Sequence, residues 1–346
     1  MRSAYPSDMA SAVSVPTPEK LVDRHGRAIT YLRISVTDRC DLRCRYCMAE
    51  QMTFLPRAAL LDLEEIALIA ERFISRGVRK IRLTGGEPLV RRDMLQLVAR
   101  LGHSLGQGLD ELTLTTNGTR LDQHAAALFD AGVRRLNVSM DSRDPATFRH
   151  ITRHGDIDQV LNGIRAASSA GLAVKINMVA LKGLNEHEIA PMLAWCVEQG
   201  HDLTLIETMP LGLIDEDRAD RFLPLTHVFD DLRERFDLQF EDRSTGGPAR
   251  YWRVEGTGTR LGLISPLTGN FCATCNRVRL STDGKLHMCL GHDDSVDLKA
   301  AIRSGGLAEV DVRITEALGL KPAAHDFRIE RGAAPAVSRH MSVTGG

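Results

Sequence analysis

Between residue 31 and about residue 208 the chain repeats one pattern. Short runs rich in Val, Ile, Leu and Thr alternate with longer stretches whose apolar positions recur at helical spacing. The repeat is roughly thirty residues, the length of a strand followed by a covering helix, and it predicts a parallel sheet built from βα units. Six strands are predicted, at 31–36, 80–84, 112–116, 134–139, 173–179 and 203–207, with helices between them such as 63–76 and 158–170.

A parallel strand covered on both faces reads as nearly continuous Val, Ile and Leu. These strands do not. One parity of each is polar: Arg33, Ser35 and Thr37; Lys80, Arg82 and Thr84; Thr113 and Thr115; Asn137 and Ser139; Lys175 and Asn177. Side chains alternate across a strand, so this set converges on one face while Ile34, Ile81, Leu83, Leu114, Val138 and Ile176 face the helices. The predicted fold is therefore α/β, a partial (β/α)6 TIM-like barrel whose polar parity lines a cavity. Arg33, Arg82 and Lys175 on strand interiors need partners if buried. Three cations aimed into one lumen suit a polyanion such as a triphosphate, and no GxxxxGK[ST] loop is present to hold one instead.

After Asp237 the pattern changes to shorter, Gly-rich strands with one further helical stretch around 296–302. The expected division is a tail over 1–20, a barrel over 21–240, and a C-terminal module over 241–346 that closes the barrel mouth. The tail mixes Ser, Ala and Pro without an apolar signal core, so it reads as mobile and the chain as cytoplasmic. A formal net charge of −1 offers no basic field for nucleic acid, and no apolar run is long enough to span a bilayer. Neither partner is expected.

Six of the seven cysteines form two triplets, Cys40, Cys44, Cys47 and Cys272, Cys275, Cys289. Their spacing does not suit a secreted disulfide framework, and Cys196, in an apolar helical context, reads as an inert buried thiol. Iron–sulfur clusters are ordinarily held by four thiolates, so a triplet leaves one iron open to bind something else. Structural zinc is the alternative, but it prefers four closed ligands and no nearby Cys or His completes the first set. The first triplet follows the first strand, where α/β folds place their chemistry. In the second, Asp283-Gly284 reads as a two-residue hairpin turn. That turn sets Val278 opposite Cys289 and, by strict alternation, puts Arg277 and Arg279 on the other face, unless a bulge or longer turn shifts the register.

The C-x3-C-x2-C spacing with Tyr46 before the last cysteine, together with Thr84-Gly85-Gly86-Glu87-Pro88, resembles the radical S-adenosylmethionine superfamily. The resemblance implies that an open iron chelates S-adenosylmethionine, with Tyr46, Gly85, Gly86, Glu87, Ser139 and Met209 around it. Its reductive cleavage then gives a radical that abstracts hydrogen from the substrate. Within that superfamily the block from Phe271 to Leu290 resembles the GTP 3′,8-cyclase family of molybdenum cofactor biosynthesis, and the likeness runs from about residue 31 to the end. It implies two 4Fe-4S clusters, with guanine on the second. Arg33, Lys80, Arg82, Thr115, Lys175, Arg277 and Arg279 would contact GTP, and Arg277 and Arg279 would assist ring closure. A terminal Gly345-Gly346 would reach into the active site. The implied partners are an external electron donor and, downstream, cyclic pyranopterin monophosphate synthase, with a homodimer as one open arrangement.

One departure stands out. The family often has Arg where this chain has Thr204, in Thr204-Leu205-Ile206-Glu207, which leaves a phosphate contact for Lys80 or Lys175 to supply. Two other readings remain: a peptide-modifying radical enzyme, which GTP binding would discriminate, and a zinc or redox-sensing module. Anaerobic analysis is expected to find about eight irons per chain with matching sulfide; stoichiometric zinc would contradict two clusters.

Overall fold

The computed structural model of the chain describes residues 20–243 and 245–345. The expected tail, except Lys20, and Gly346 lie outside the described residues. Six βα units come first. They are β1 (Tyr31–Ser35) with α1 (Leu63–Ser75), β2 (Lys80–Thr84) with α2 (Met94–Gly102), and β3 (Glu111–Thr116) with α3 (Leu121–Asp130). Next come β4 (Arg135–Ser139) with α4 (Pro145–Thr152) and α5 (Ile157–Ser169), then β5 (Ala173–Ala180) with α6 (Ile189–Gln199). The sixth is β6 (Asp202–Glu207) with α7 (Arg218–Arg221) and α8 (Leu225–Arg233).

Local sequence sets these boundaries. Asp62 and Glu65 close a capping box on α1, Asp144 caps α4 ahead of Pro145, and Gly200 ends α6 in the left-handed region at φ 69°. The apolar strand parity packs under the helices: Ile34, Ile81, Leu83, Leu114, Val138 and Ile176 are fully buried in one core with Ile66, Ile69 and Phe73 of α1. Cys196 is buried there too, in α6. Among the described residues no helix is long and apolar enough to cross a membrane.

The remaining strands are β7 (Leu238–Glu241), β8 (Arg250–Val254), β9 (Arg260–Ile264), β10 (Arg277–Leu280), β11 (Lys285–His287) and β12 (Ser295–Asp297). They are followed by α9 (Leu298–Gly319) and α10 (Met341–Thr344). All twelve strands form one open sheet in the order β12-β11-β10-β1-β2-β3-β4-β5-β6-β9-β8-β7. The C-terminal segment thus extends both edges of the barrel sheet, with β10 parallel to β1 and β9 parallel to β6. The helix expected at 296–302 differs from α9. Val296 lies in β12, and the helix continues past Gly306, whose φ of 64° breaks it without ending it. The run Ser304-Gly305-Gly306 reads as a stop, yet Val310, Ile314 and Leu318 beyond it are buried, and that burial sustains the second half.

The hairpin after β10 also differs from expectation. Arg279 pairs with His287 and Leu280 with Leu286, one residue off the two-residue-turn register. Ser281 N–H donates to Lys285 O at 2.9 Å, so the turn has three residues, with Gly284 at φ 84° in the left-handed position such turns require. Carrying the register two pairs further sets Arg277 opposite Cys289. Arg277, Arg279 and Cys289 therefore share a face. An alanine at Gly284 would be strained, by about 1–2 kcal/mol for the left-handed conformation, and its Cβ would strike Lys299. Gly284→Ala is expected to lower the melting temperature and to lose iron from the C-terminal site. Unchanged iron content and stability would contradict this account of the turn.

Candidate active site

The sheet curves around one cavity, and the polar parity lines it: Arg33, Arg82, Thr84, Thr115, Asn137, Ser139, Lys175 and Asn177 all face in, joined by Arg277 and Arg279. Strand register sets the cations side by side. Arg82 on β2, Arg33 on β1 and Arg279 on β10 occupy one row, and Lys80, Tyr31 and Arg277 the row below. No carboxylate pairs with Arg33, Arg82, Lys175, Arg277 or Arg279 among the described residues. Arg33 Nε donates to the Tyr31 hydroxyl at 3.3 Å, Lys175 Nζ to the Tyr251 hydroxyl at 3.0 Å, and Arg279 to Gly345 O. The Asn137 amide oxygen accepts from both terminal nitrogens of Arg82, at 2.7 and 3.1 Å, in the amide orientation that satisfies both.

Crowding of cations shows in the titration of their neighbours. Burial alone would raise the Tyr31 phenol, but Arg82, Arg33 and Lys80 outweigh it and lower the group to about 7. Lys175 is also lowered to about 7, chiefly by burial and then by Arg82 and Arg135. Lys80 is placed differently. It pairs with Glu111 at 2.7 Å and donates to Thr245 O at 2.6 Å, outside the cavity lining. Thr204, at the position of the departure, is buried with its hydroxyl unpartnered among the described residues. Of the two lysines, only Lys175 faces the lumen.

Above the C-terminal ends of β1 and β2 two loops bind each other through backbone. Gly86 N–H donates to Thr37 O and Glu87 N–H to Arg39 O, each at 2.8 Å. A Cβ on Gly85 would lie 2.5 Å from Thr37 O, and one on Gly86 would strike Arg39 O and Cys40. The paired glycines thus seat this loop against the loop carrying Cys40, Cys44 and Cys47. Glu87 is turned inward. Its carboxylate accepts from Leu89 N–H at 3.0 Å, Thr116 hydroxyl at 2.9 Å and Asn117 N–H at 2.6 Å. Neither Glu87 nor Gly86 lines the cavity, whereas Gly85, Tyr46, Ser139 and Met209 do. Tyr46 donates its hydroxyl to Asp141 at 2.7 Å. Burial and then Asp141 push Cys47 up to about 12.

Cys272, Cys275 and Cys289 border the same cavity as Cys47, whereas Cys40 and Cys44 are not among its lining residues. Burial would raise Cys275, but Arg277 and Lys321 prevail and lower it to about 7. The C-terminal tail is drawn in between. Ser35 hydroxyl donates to Ser342 O at 3.2 Å, Thr282 N–H to Val343 O at 3.2 Å, and a side chain at Gly345, φ 75°, would collide with Thr84 Oγ1. Only a glycine fits there.

The donor chemistry of each triplet fits a cluster: all six cysteines are free thiols, and thiolates are the ligands that hold iron–sulfur clusters. In the lumen, Arg82 Nε and Thr115 Oγ1 are buried without partners among the described residues, as a polar ligand would require.

Several lining residues were not singled out from sequence. Tyr31 shares the parity of Arg33 and could have been read from it. Asp141, two residues past Ser139, could have been found from strand phase. Tyr251 could not, because β8 joins the barrel sheet only through β9.

Known proteins agree with this geometry. Residues 34–196 match the family model described as the radical SAM superfamily, and residues 201–327 that described as Molybdenum Cofactor Synthesis C. The chain is 58% identical to the GTP 3′,8-cyclase of Rhizobium etli (strain CIAT 652), over 94% of each chain. It is 56% identical to that of Erythrobacter litoralis (strain HTCC2594), covering 94% of this chain and 99% of the relative. Streptococcus suis SuiB bound to its precursor peptide SuiA shares the fold at a TM-score of 0.60 and 15% identity, over 85% of this chain and 67% of that one. SuiB bound to S-adenosylmethionine gives 0.57 and 12%, over 79% and 64%. The chain belongs to the GTP 3′,8-cyclase family of the radical S-adenosylmethionine superfamily.

Proposed function

We propose that this protein converts GTP into 3′,8-cyclo-7,8-dihydro-GTP, an early step of molybdenum cofactor biosynthesis. The observation that carries this reading is one lumen lined by Arg33, Arg82, Lys175, Arg277 and Arg279 and bordered by Cys47 of the first triplet and all three cysteines of the second. Two 4Fe-4S clusters and S-adenosylmethionine are its cofactors. When bound, they supply the one-electron cleavage that yields a hydrogen-abstracting radical, and an open iron for the guanine.

The chain's own residues bind, orient and shield. Arg33, Arg82, Lys175 and Arg279 supply countercharge for the triphosphate, and Arg offers a planar fork of donors that matches phosphate oxygens. Lys175 takes the contact that Thr204 does not provide. Thr115 and Asn137 add polar contacts on the same wall. Arg277, on the face of Cys289, serves the base end of the nucleotide, and Arg279, on the same face one row away, spans from there to the triphosphate. Ring closure joins ribose C3′ to guanine C8, so both must be held while water is excluded. Tyr46, Gly85, Ser139 and Met209 line the S-adenosylmethionine end; Gly86 and Glu87 act behind them by fixing the loop. The tail, with Gly345 against Thr84 and Arg279, closes the space between the two ends.

The product passes to a cyclic pyranopterin monophosphate synthase, and an external reductant loads the first cluster, both in a cytoplasmic setting. Anaerobic incubation with GTP, S-adenosylmethionine and dithionite is expected to yield 5′-deoxyadenosine and a cyclised nucleotide in step. Cleavage of S-adenosylmethionine with GTP left unchanged would overturn the substrate assignment.

Titration of the lumen gives a second expectation. Between about pH 6 and pH 9, Lys175 loses its proton and Tyr31 gains negative charge, and both changes remove positive charge from the pocket. Protonated Lys175 is the form that binds an anion, so GTP affinity should weaken as pH rises through about 7, by up to about tenfold per pH unit for each group. Equilibrium dialysis of the holoenzyme reads this directly, and Lys175→Met should make the profile shallower, leaving the part due to Tyr31. Affinity independent of pH would contradict it.

A further inference from the structure

Lys321 lies just beyond the end of α9 and is 2% exposed. Its ammonium group has three N–H donors, and the structure accounts for all three. Nζ donates to Arg277 O at 2.8 Å and to Met288 O at 2.7 Å, and reaches Cys275 Sγ at 3.6 Å. The first two bonds tie β10 to the residue that follows β11, across the hairpin that carries the second triplet. The third goes to a sulfur of that triplet.

No carboxylate pairs with Lys321 among the described residues. A buried cation without a counterion is costly. A role limited to pinning the hairpin explains two of the three bonds, and a neutral amide could make both. It does not explain the charge.

We propose that Lys321 is a tuning residue for the second cluster. Its positive charge balances the cluster's thiolates, and its N–H···S bond to Cys275 withdraws electron density from a ligand sulfur. This raises the cluster's reduction potential and makes the open iron a better acceptor for the guanine. Hydrogen bonds to cluster sulfurs and net charge around them are established determinants of such potentials. The same ammonium fixes the carbonyl of Arg277, so tuning of the metal and placement of the arginine side chain depend on one group. The proposal rests on reading Cys272, Cys275 and Cys289 as cluster ligands.

The test is a redox titration of the reconstituted holoenzyme followed by electron paramagnetic resonance. The second cluster's signal is identified by its response to GTP and the first by its response to S-adenosylmethionine. Lys321→Gln keeps amide donors for the two carbonyls and removes the charge. It is expected to shift the second midpoint downward and leave the first where it was, while Lys321→Arg stays near the wild-type value. Equal second midpoints in the wild type and Lys321→Gln would overturn the proposal, as would equal shifts in both clusters. If Lys321→Gln fails to hold the second cluster, retention by Lys321→Arg supports the charge requirement and loss from both variants refutes it. A wild type with only about four irons per chain would instead remove the underlying reading of the triplet.

Discussion

Three arginines stand side by side on adjacent parallel strands, Arg82, Arg33 and Arg279, and the whole site is arranged around that repulsion. Neighbouring strands are about 4.8 Å apart. Two unit charges held at such a spacing repel by roughly 3 kcal/mol at an effective dielectric constant of about 20. Side chains can splay to reduce this, but Lys175 closes the same wall from β5 and Arg277 lies in the row below. Without an anion the row is a standing cost, softened by Tyr31, Asn137 and the carbonyl of Gly345. A nucleotide triphosphate turns that cost into binding energy.

The fold builds this arrangement from two ends of the chain. β1 and β2 contribute Arg33 and Arg82, whereas Arg279 lies 246 positions after Arg33 in the sequence. Pairing of β10 with β1 fixes the face that Arg277 and Arg279 present, and the three-residue turn at Gly284 brings Cys289 round to that same face. With the shorter turn Cys289 would fall on the face opposite the two arginines. Glycine performs a second service at Gly85 and Gly86, where backbone approaches backbone too closely for a side chain. A third lies at Gly345, where the tail enters the space beside Thr84. Close approach, more than flexibility, is what these positions require.

Much of this was legible in the sequence because a strand's period of two is a strong signal and the polar parity recurred on five strands. Strand positions agree with expectation to within one residue at nearly every end. The cysteine triplets were legible because thiols at such spacing have few uses besides holding metal. What escaped were features fixed by pairing between distant segments. The turn register depends on one residue, and a one-residue slip flips every side chain. The extension of both sheet edges by the C-terminal strands leaves no trace in local pattern. Lys321 gave no signal either: a lysine after a helix reads as solvated until its ammonium is found among carbonyls and a sulfur. Glu87 reads as a ligand from its motif, and only the structure reveals its oxygens already taken by backbone and Thr116.

The claim that a triphosphate is the missing counterion of the arginine row is tested most directly by equilibrium dialysis of the anaerobic holoenzyme at one pH, comparing GTP, GDP and guanosine. The account expects affinity to fall in steps as phosphates are removed, with guanosine weakest although its base can still reach the second cluster. Guanosine binding as tightly as GTP would contradict it.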